Sequence, residues 1–459
     1  MRSMVAGKGW FVAAVLAVAL AVVPAGAARR HASTTVVRVT VTAGRCALSQ
    51  TTIPLGTVRF QVVNNGASVD GFVVDGVQTR LLRPGRTAIL TVQFKKTGSY
   101  RYRCTSGVRG RLTVTAEPAA PAQPALTTLA TGLGPLTDVA VAPDDPNRVF
   151  VVEQRGTVVM LDGGPPQEVA DFDADVRSDG ENGMLGMAFS PAFATDRTIY
   201  LLYIDQVGSG DEELVSVRLN DDWTADMKSV RTLLDVDTPG GNHRGGDIAF
   251  GPDGLLYLPL GDGDNGTYTT IGQYAQDSAS MLGGIVRIDP ATGSVVQWAK
   301  GLRNPWRDYL DAADGLYYIG DVGESDQEEI DVVPLSGGPY NFGWPCVEGT
   351  ETHADTPVLC PDPSQLTAPV LTYVHKPECA VIAGVVVHDP RFSSLAGSFL
   401  YTDLCDGNVR AFTYADGAAT DDRDIGLHVD QPTSFGEGPD GRIYVVDNGG
   451  DVYRVDPAP

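Results

Sequence analysis

The segment Gly251-Pro252-Asp253-Gly254-Leu255-Leu256-Tyr257-Leu258, residues 251–258, contains the pattern from which the fold is predicted. A turn rich in Pro, Asp and Gly is followed by a short run of aromatic and branched residues, which is typical of a β-strand entered from a tight turn. Further copies of this unit begin at Ala142, Ser190, Ala313, Asp389 and Gly438. No helical periodicity of useful length interrupts them. The later part of the chain is therefore expected to consist of β-strands.

Six copies predict six small sheets of about four strands each, joined by loops of unequal length. A single sheet of this kind exposes both faces and becomes stable when it is stacked with others in a closed ring. We therefore predict an all-β fold with a six-bladed β-propeller over residues 126–457, and a plain β-sandwich is the alternative. In a propeller the loops at one end converge on the central channel, so residues distant in sequence can meet there.

Residues 35–116 show a different pattern. Alternating stretches such as Val36–Val41 and Val58–Val62 are separated by turns, for example Asn64-Asn65-Gly66, which predicts a small all-β sandwich. Residues 117–125 contain three prolines and almost no large side chain. Because such a segment can bury nothing, it is predicted to be an extended linker between two domains.

Residues 1–28 are predicted to be a signal peptide. Arg2 and Lys8 precede the apolar run 10–23, and Ala25-Gly26-Ala27 follows as a cleavage site of small residues. A membrane anchor is the alternative, although the run is short for a bilayer span. No later segment is long and apolar enough to span a bilayer. We therefore expect a secreted or extracytoplasmic protein with no membrane span after the signal is cleaved.

The composition is strongly acidic. Among 459 residues, 34 are Lys or Arg and 57 are Asp or Glu, which gives a formal net charge of −23. A surface of this sign is repelled by a phosphate backbone, so no nucleic-acid partner is expected. The excess of carboxylates suits calcium, which takes oxygen ligands.

The six cysteines are expected to form disulfides, because exported proteins pass into an oxidising compartment. Fifteen pairings are possible from sequence alone. Two cysteines stand alone near the N-terminus and four crowd the last third, so the simplest arrangement is Cys46–Cys104, Cys346–Cys360 and Cys379–Cys405. Zinc binding is the competing interpretation, but no pair has Cys-x-x-Cys spacing.

The segment Gly240-Gly241-Asn242-His243-Arg244-Gly245-Gly246-Asp247 precedes the third copy of the repeat. A His flanked on both sides by Gly has backbone freedom and little local packing to bury it, as an exposed catalytic or ligand imidazole requires. A lone His is more often a core residue that is satisfied by its neighbours. The surrounding motifs favour the functional interpretation here.

Five ordered motifs closely resemble the soluble quinoprotein glucose and sorbosone dehydrogenase family: residues 179–186 (Asp-Gly-Glu-Asn-Gly-Met-Leu-Gly), 242–246 (Asn-His-Arg-Gly-Gly), 301–306 (Gly-Leu-Arg-Asn-Pro-Trp), 321–330 (Asp-Val-Gly through Glu-Glu-Ile) and 341–345 (Asn-Phe-Gly-Trp-Pro). The resemblance covers essentially residues 126–455. The family fold is a six-bladed propeller, which agrees with the number of repeats.

The resemblance implies specific roles for the residues of these motifs. His243 would be the general base that takes the proton from the anomeric hydroxyl of a sugar while hydride passes to pyrroloquinoline quinone (PQQ). Arg303, beside Asn304, would face the quinone and stabilise the charge that develops on its oxygens. Glu181 stands where the family has a sugar-binding Gln, and with Asn242 it would bind substrate hydroxyls.

The acidic turn after residue 320 resembles the calcium region of the family. The carbonyls of Gly323 and Glu324 would hold an ion that bridges to the quinone, and Glu328 and Glu329, with the carbonyl of Phe342, resemble a second, structural calcium site. A run of Glu and Asp is more often a solvated face, but the matching motif favours calcium.

Residues 35–116 resemble a cupredoxin in the order of their strands and turns. A blue-copper site requires two imidazoles and a thiolate. The segment contains no His, and Val69-Asp70-Gly71-Phe72 stands where the family has its first one. We therefore predict a copper-free domain that serves as a docking or spacer unit.

One departure from the quinoprotein pattern lies near the end of the chain. Relatives bind the quinone carboxylates with Lys and Arg from the later blades, whereas this chain has residues 403–408 (Asp-Leu-Cys-Asp-Gly-Asn) at the corresponding place. Arg244, Arg307 and Arg410 are the candidate substitutes.

The predicted function is an exported, PQQ- and calcium-dependent dehydrogenase that oxidises an aldose sugar and passes electrons to an acceptor that the sequence does not identify. A non-catalytic extracellular propeller that binds carbohydrate or protein is the alternative, because fold alone does not decide function.

Overall fold

The chain divides into two compact units, residues 1–120 and 121–459. A computed structural model describes residues 35–458 except 43–44, 106, 108, 117–121, 208–209, 264–272, 354–355 and 357. The predicted signal peptide, residues 1–28, lies outside the described residues. In the described residues of both units, nearly all of the regular secondary structure is β-strand.

The first unit has strands β1 Thr35–Thr42, β2 Arg45–Leu48, β3 Thr52–Pro54, β4 Gly56–Asn64, β5 Phe72–Val74, β6 Val77–Gln78, β7 Thr87–Phe94, β8 Gly98–Cys104 and β9 Arg109–Thr115. They form one sheet in the order β2-β1-β4-β7 and a second in the order β3-β9-β8-β5-β6.

Strict alternation along the strands builds the core of this unit. In β4, Val58, Phe60 and Val62 are buried, whereas Arg59 and Gln61 are exposed, because successive side chains of a strand point to opposite faces. The buried set packs with residues of the second sheet in one apolar cluster. The disulfide Cys46–Cys104 connects β2 in the first sheet to β8 in the second.

In its described residues, the second unit contains six sheets of four or five strands. The first sheet consists of β11 Leu136–Val141, β12 Val149–Glu153, β13 Thr157–Leu161 and β14 Gln167–Asp171, and the second of β15 Met184–Phe189, β16 Thr198–Ile204, β17 Glu212–Leu219 and β18 Ala225–Val236. The third consists of β19 Ala249–Phe250, β20 Leu256–Leu260, β21 Gly284–Asp289, β22 Ser294–Lys300 and β26 Tyr340–Asn341, and the fourth of β23 Pro305–Asp311, β24 Leu316–Asp321, β25 Gln327–Pro334 and β29 Leu371–Val374. The fifth consists of β30 Val381–Val386, β31 Phe399–Asp403, β32 Asn408–Ala415 and β33 Ala418–His428, and the sixth of β34 Pro432–Glu437, β35 Ile443–Asp447, β36 Val452–Pro457 and β10 Pro124–Ala130.

The first strands of these sheets contact one another in a closed cycle. β11 contacts β15, β15 contacts β19, β19 and β20 contact β23, β23 contacts β30, β30 contacts β34, and β34 contacts β11 again. The last sheet combines both ends of the unit, since β10 pairs antiparallel with β36. Strand β10 begins at Pro124, inside the segment 117–125 that the sequence predicts as a linker. The pairing of the two chain ends closes the cycle.

The repeated turns rich in Pro, Asp and Gly connect the first and second strands of their sheets. In the turn 251–254, the backbone N–H of Gly254 donates to the Gly251 carbonyl at 2.9 Å. Gly254 has φ +78°, a left-handed conformation that glycine adopts at little cost. Gly441 occupies the same position in the turn 438–441, with φ +79°. The turn sequence therefore sets where each strand begins.

The remaining described elements are short. They are helix α1 Phe193–Asp196, helix α2 Gln273–Gln276, a 3-10 helix at Pro363–Gln365, and the two-stranded sheet of β27 Val347–Glu348 and β28 Glu351–Thr352. None of the helices in the described part of the chain has the length and apolar character needed to cross a membrane.

All six cysteines are paired as the sequence predicted, in Cys46–Cys104, Cys346–Cys360 and Cys379–Cys405. The first pair connects the two sheets of a small unit, where a covalent constraint on the unfolded chain contributes a large share of stability.

Replacing Cys46 and Cys104 together by Ser is expected to lower the free energy of unfolding of the first unit by about 2 to 4 kcal/mol. Pulse proteolysis in urea, scored by cleavage within residues 35–116, measures this loss. The matched variant Cys346→Ser/Cys360→Ser should leave cleavage of the first unit unchanged. Equal effects of the two double variants would contradict the assignment.

Candidate functional site

One cavity of about 470 Å³ in the second unit brings together seven residues predicted from the sequence. They come from loops next to the first or second strands of different sheets, and they are Glu181, Asn242, His243, Arg303, Asn304, Gly323 and Glu324. The convergence of these loops produces a single site from residues that are far apart along the chain.

His243 lies at the wall of this cavity with its ring held by a carboxylate. Its Nδ1 is 2.6 Å from Oδ1 of Asp262, and the indole Nε1 of Trp344 donates to Oδ2 of the same carboxylate at 2.8 Å. A carboxylate at Nδ1 favours the tautomer that carries its proton there, which leaves Nε2 as the acceptor. The imidazole is therefore oriented to take a proton.

Asp262 is a candidate site residue that the sequence motifs did not indicate. Its backbone N–H donates to the carbonyl of Arg303 at 2.8 Å, so the carboxylate that orients His243 also lies next to the loop carrying Arg303. The available signal was its position in Gly261-Asp262-Gly263, directly after strand β20 of the third repeat.

Glu181 and Asn304 connect the loops around His243. Oε2 of Glu181 accepts from the backbone N–H of His243 at 2.8 Å and from Nδ2 of Asn304 at 3.1 Å. Oδ1 of Asn304 accepts from the backbone N–H of Gly245 at 3.0 Å. This framework holds His243 at φ +54°, a left-handed conformation that is uncommon for a residue with a side chain.

Arg303 reaches the same cavity from a later loop. Its Nη1 donates to the Val322 carbonyl at 2.9 Å, and its guanidinium carbon is 5.6 Å from the ring centroid of Trp344. Its Nε is buried and, within the described part of the chain, has no hydrogen-bond partner. One donor of this cation is therefore available for a ligand.

The predicted structural calcium site at Glu328, Glu329 and the Phe342 carbonyl stays a prediction, and the structure places the two glutamates in different surroundings. The two are neighbours in strand β25, whose regular pairing places successive side chains on opposite faces. Glu328 accepts from the backbone N–H of Val381 at 2.9 Å and is hydrogen-bonded to Nδ1 of His375. The two carboxylates therefore lie on opposite faces of the strand. The side chain of Phe342, whose carbonyl is the third predicted ligand, is buried in an apolar cluster.

Glu329 belongs instead to a group of buried carboxylates with Asp321 and Asp331. Asp321 pairs in register with Glu329 across β24 and β25, and both oxygens of Asp331 lack a hydrogen-bond partner among the described residues. Burial raises the pKa of Glu329 and of Asp331 well above the usual range and raises the pKa of Asp321 to about 7. Such a group requires protons or a cation.

The three candidate substitutes for the missing cations do not line the cavity. Nε of Arg244 donates to Oδ1 of Asn182, the guanidinium of Arg307 donates to the Thr433 carbonyl, and Arg410 forms an ion pair with Asp422. In the described residues, Arg303 is thus the single Lys or Arg at the cavity wall.

The segment that replaces the cationic residues of the quinoprotein pattern is a disulfide-bonded turn. Leu404 and Cys379 line the cavity, together with His375. The carboxylate of Asp403 accepts from the backbone N–H groups of Cys379, Ala380 and Cys405 at 2.8 to 3.2 Å. Asp403 therefore holds the turn and does not bind a ligand in the cavity.

A buried carboxyl group, that of Glu212, lies near Arg244 of the His243 loop. Nη1 of Arg244 is buried and has no hydrogen-bond partner within the described residues. Burial raises the pKa of Glu212 to about 8, and the charge of Arg244 partly opposes this rise.

A sequence model described as Glucose / Sorbosone dehydrogenase matches residues 135–454. The chain belongs to that family. A model described as a cupredoxin-like domain matches residues 12–114. Both matches confirm the resemblances inferred from the motifs.

Relatives of this member of the glucose/sorbosone dehydrogenase family include a plant HIPL protein and a bacterial sugar dehydrogenase. HIPL2 protein from Arabidopsis thaliana is 28% identical over 364 residues, which cover 60% of this chain and 51% of HIPL2. An aldose sugar dehydrogenase from Escherichia coli is 28% identical over 227 residues, which cover 43% of this chain and 57% of that protein. The chain thus spans between half and three fifths of these two relatives.

Solved structures of this family have the same fold. The PQQ-bound form of an aldose sugar dehydrogenase from Streptomyces coelicolor aligns with a TM-score of 0.58 at 21% identity, covering 73% of this chain and 99% of that one. At 21% sequence identity, this structural similarity shows a shared fold and nothing further.

Replacing Gly261 by Ala is expected to displace His243. The added Cβ would lie 1.9 Å from the His243 carbonyl oxygen, so the backbone must shift, and we expect the free energy of unfolding to fall by about 1 to 3 kcal/mol. Gly241→Ala is the matched control, because its Cβ would have no atom within 4 Å. Urea denaturation measures the free energy of unfolding of both variants. Equal values would contradict the close contact between Gly261 and the His243 carbonyl.

Glu212→Gln should become more stabilising relative to wild type as the pH rises from 5 to 8. The folded protein keeps the Glu212 proton up to about pH 8, whereas the unfolded chain releases it near 4.5, so wild type loses stability across this interval. Urea denaturation at several pH values measures the difference. A difference that does not change with pH would show that Glu212 is charged in the folded protein.

Proposed function

We propose that this chain is an exported sugar dehydrogenase that oxidises the anomeric hydroxyl of an aldose with PQQ and calcium. The observation that carries the proposal is the imidazole of His243, oriented by Asp262 at a cavity that also contains Glu181 and Arg303. A scaffold or a packed core does not require a proton acceptor held in this way.

The proposal includes the architecture and location of the protein. The closed cycle of six sheets supports a six-bladed propeller, and the two sheets around one core support a sandwich in residues 35–116. The three disulfides and the predicted leader 1–28 support export to an oxidising compartment.

In this reaction His243 takes the proton of the anomeric hydroxyl at Nε2. Its Nδ1–H keeps donating a hydrogen bond to Asp262, whose carboxylate stabilises the imidazolium that forms, and the indole N–H of Trp344 holds that carboxylate in place. Glu181 and Asn242 bind the hydroxyl groups of the sugar, which places the anomeric carbon beside the imidazole.

PQQ supplies the electron sink for the hydride that leaves the anomeric carbon. Arg303 and Asn304 are the residues that would hold the quinone oxygens, and the buried Nε of Arg303 without a described partner fits an acceptor there. The fit is weaker at the three carboxylates of the cofactor, because Arg303 is the single Lys or Arg among the described residues of the wall.

Calcium would supply the remaining positive charge. Gly323 and Glu324 line the cavity, so their carbonyls are the groups that would hold a calcium ion there. For the structural ion, Glu329 and Asp331 are the better pair, because they share one face of β25 and the Asp331 oxygens lack described partners.

A non-catalytic role as a carbohydrate- or protein-binding propeller is the second candidate. The scarcity of cations at the cavity favours it, since a trianionic cofactor without matching charges binds weakly. The two candidates differ in whether the protein binds PQQ.

His243→Ala and Asp262→Asn are each expected to lower kcat by about 10² to 10⁴, because proton transfer to an oriented base contributes a factor of this size. The assay is dye reduction on an aldose panel after reconstitution of the mature protein with PQQ and calcium. His388→Gln is the matched control, because His388 contacts Glu437 and does not line the cavity.

Absorbance titration of the same protein with PQQ separates the two candidates. Saturable binding with an inactive His243→Ala variant supports the dehydrogenase. Failure of the wild-type protein to bind PQQ in the presence of calcium would contradict the dehydrogenase proposal. It would favour the non-catalytic role in carbohydrate or protein binding.

A further inference from the structure

A second group of metal-ligating side chains lies outside the His243 cavity. Asp326 precedes strand β25, Glu348 ends β27, and His353 follows β28. One ligand atom from each residue lies within 4.8 Å of the other two. His353 is within the loop closed by the disulfide Cys346–Cys360, which limits the conformations that this loop can adopt.

One of the two carboxyl oxygens of Glu348 is held by hydrogen bonds from the backbone. Oε1 accepts the backbone N–H groups of four successive residues, Glu324, Ser325, Asp326 and Gln327, at 2.8 to 3.1 Å. Four such donors fix the position and the orientation of the carboxyl group. The fold therefore positions this side chain.

The other oxygen of Glu348 is directed toward the group. Oε2 is buried, has no hydrogen-bond partner in the described part of the chain, and lies 3.8 Å from Nε2 of His353. The whole residue is 3% exposed. A buried carboxylate oxygen without a hydrogen bond is costly, so a cation at this point would satisfy it.

The ring of His353 has the orientation of a metal ligand. Its Nδ1 is 3.2 Å from the Pro345 carbonyl, an acceptor, so Nδ1 carries the proton in the neutral ring and Nε2 carries the lone pair. Nε2 is 3.4 Å from Oδ2 of Asp326. Ligand histidines commonly donate their second N–H to a backbone carbonyl in this way.

The distances agree with a tetrahedral ion. Zn²⁺ bonds of about 2.0 to 2.2 Å place neighbouring ligand atoms about 3.3 to 3.5 Å apart. The separations from His353 Nε2 to Asp326 and Glu348 are 3.4 and 3.8 Å, so shifts of a few tenths of an ångström suffice. Asp326 is exposed, which gives an ion access from solvent.

We propose that Asp326, Glu348 and His353 bind one divalent transition-metal ion of the Zn²⁺ type, with water in the fourth position. One imidazole and two carboxylates suit this class better than calcium, which prefers an all-oxygen set. The ion connects the turn 323–327 to the disulfide loop. Because Gly323 and Glu324 of that turn line the His243 cavity, the metal fixes one wall of the cavity.

Zinc titration of the full mature chain, free of any affinity tag and saturated with calcium, tests the proposal. Isothermal calorimetry should give about one Zn²⁺ per chain, and the thermal unfolding midpoint should rise with free zinc as ligand linkage requires. A chelator selective for transition metals should reverse the rise while calcium is still in excess.

Asp326→Asn and His353→Gln should each weaken Zn²⁺ binding by at least about tenfold. Asp326 is exposed, so its amide variant folds even if His353→Gln does not. His388→Gln is the matched control, because His388 also faces two carboxylates, Glu437 and Asp311, but is not part of this group.

Zn²⁺ binding that Asp326→Asn and His353→Gln both retain at wild-type affinity, or no binding by wild type, would overturn the proposal. In that case His353 contacts the two carboxyl groups without a metal ion. The result does not depend on PQQ or on turnover, so it is distinguishable from failure of the dehydrogenase proposal.

Discussion

The pairing of β10 with β36 is the interaction on which the second unit depends. Each four-stranded sheet has two faces that need cover, and an open row of such sheets would leave one face exposed at each end. Strand β10 comes from the start of the unit and joins the sheet formed by β34, β35 and β36 at its end. The cycle of contacts closes through β34 and β11, and the loops that carry the candidate site converge as a result.

Close backbone approach then shapes the site within that frame. A Cβ on Gly261 would lie 1.9 Å from the His243 carbonyl oxygen, and one on Gly186 would lie 2.1 Å from the Gly246 carbonyl oxygen. These glycines let the loop 240–247 lie against the neighbouring strands. The imidazole meets Asp262 because the backbones can approach this closely, and Glu181 and Asn304 hold it there.

Buried carboxylates have opposite roles in different parts of the unit. Asp262 and Asp403 accept hydrogen bonds from N–H groups and organise the loops around them. Asp331 lacks described partners, and burial raises its pKa well above the usual range. The same low-dielectric interior thus stabilises a satisfied carboxylate and penalises an unsatisfied one, which makes the latter a natural place for a cation.

Most of the fold and part of the site were predictable from residues alone, because turn chemistry and strand alternation are local. The Pro-Asp-Gly turns identified six β units, and the cysteine positions identified three disulfides, since both depend on spacing along the chain. The motifs also identified His243, Arg303 and Glu181, which do line one cavity.

Three other features depend on which side chains face each other across loops and strands: the support of His243 by Asp262, the separation of Glu328 from Glu329, and the meeting of Asp326, Glu348 and His353. Such contacts arise when distant segments pack together, and no local pattern in the chain encodes them.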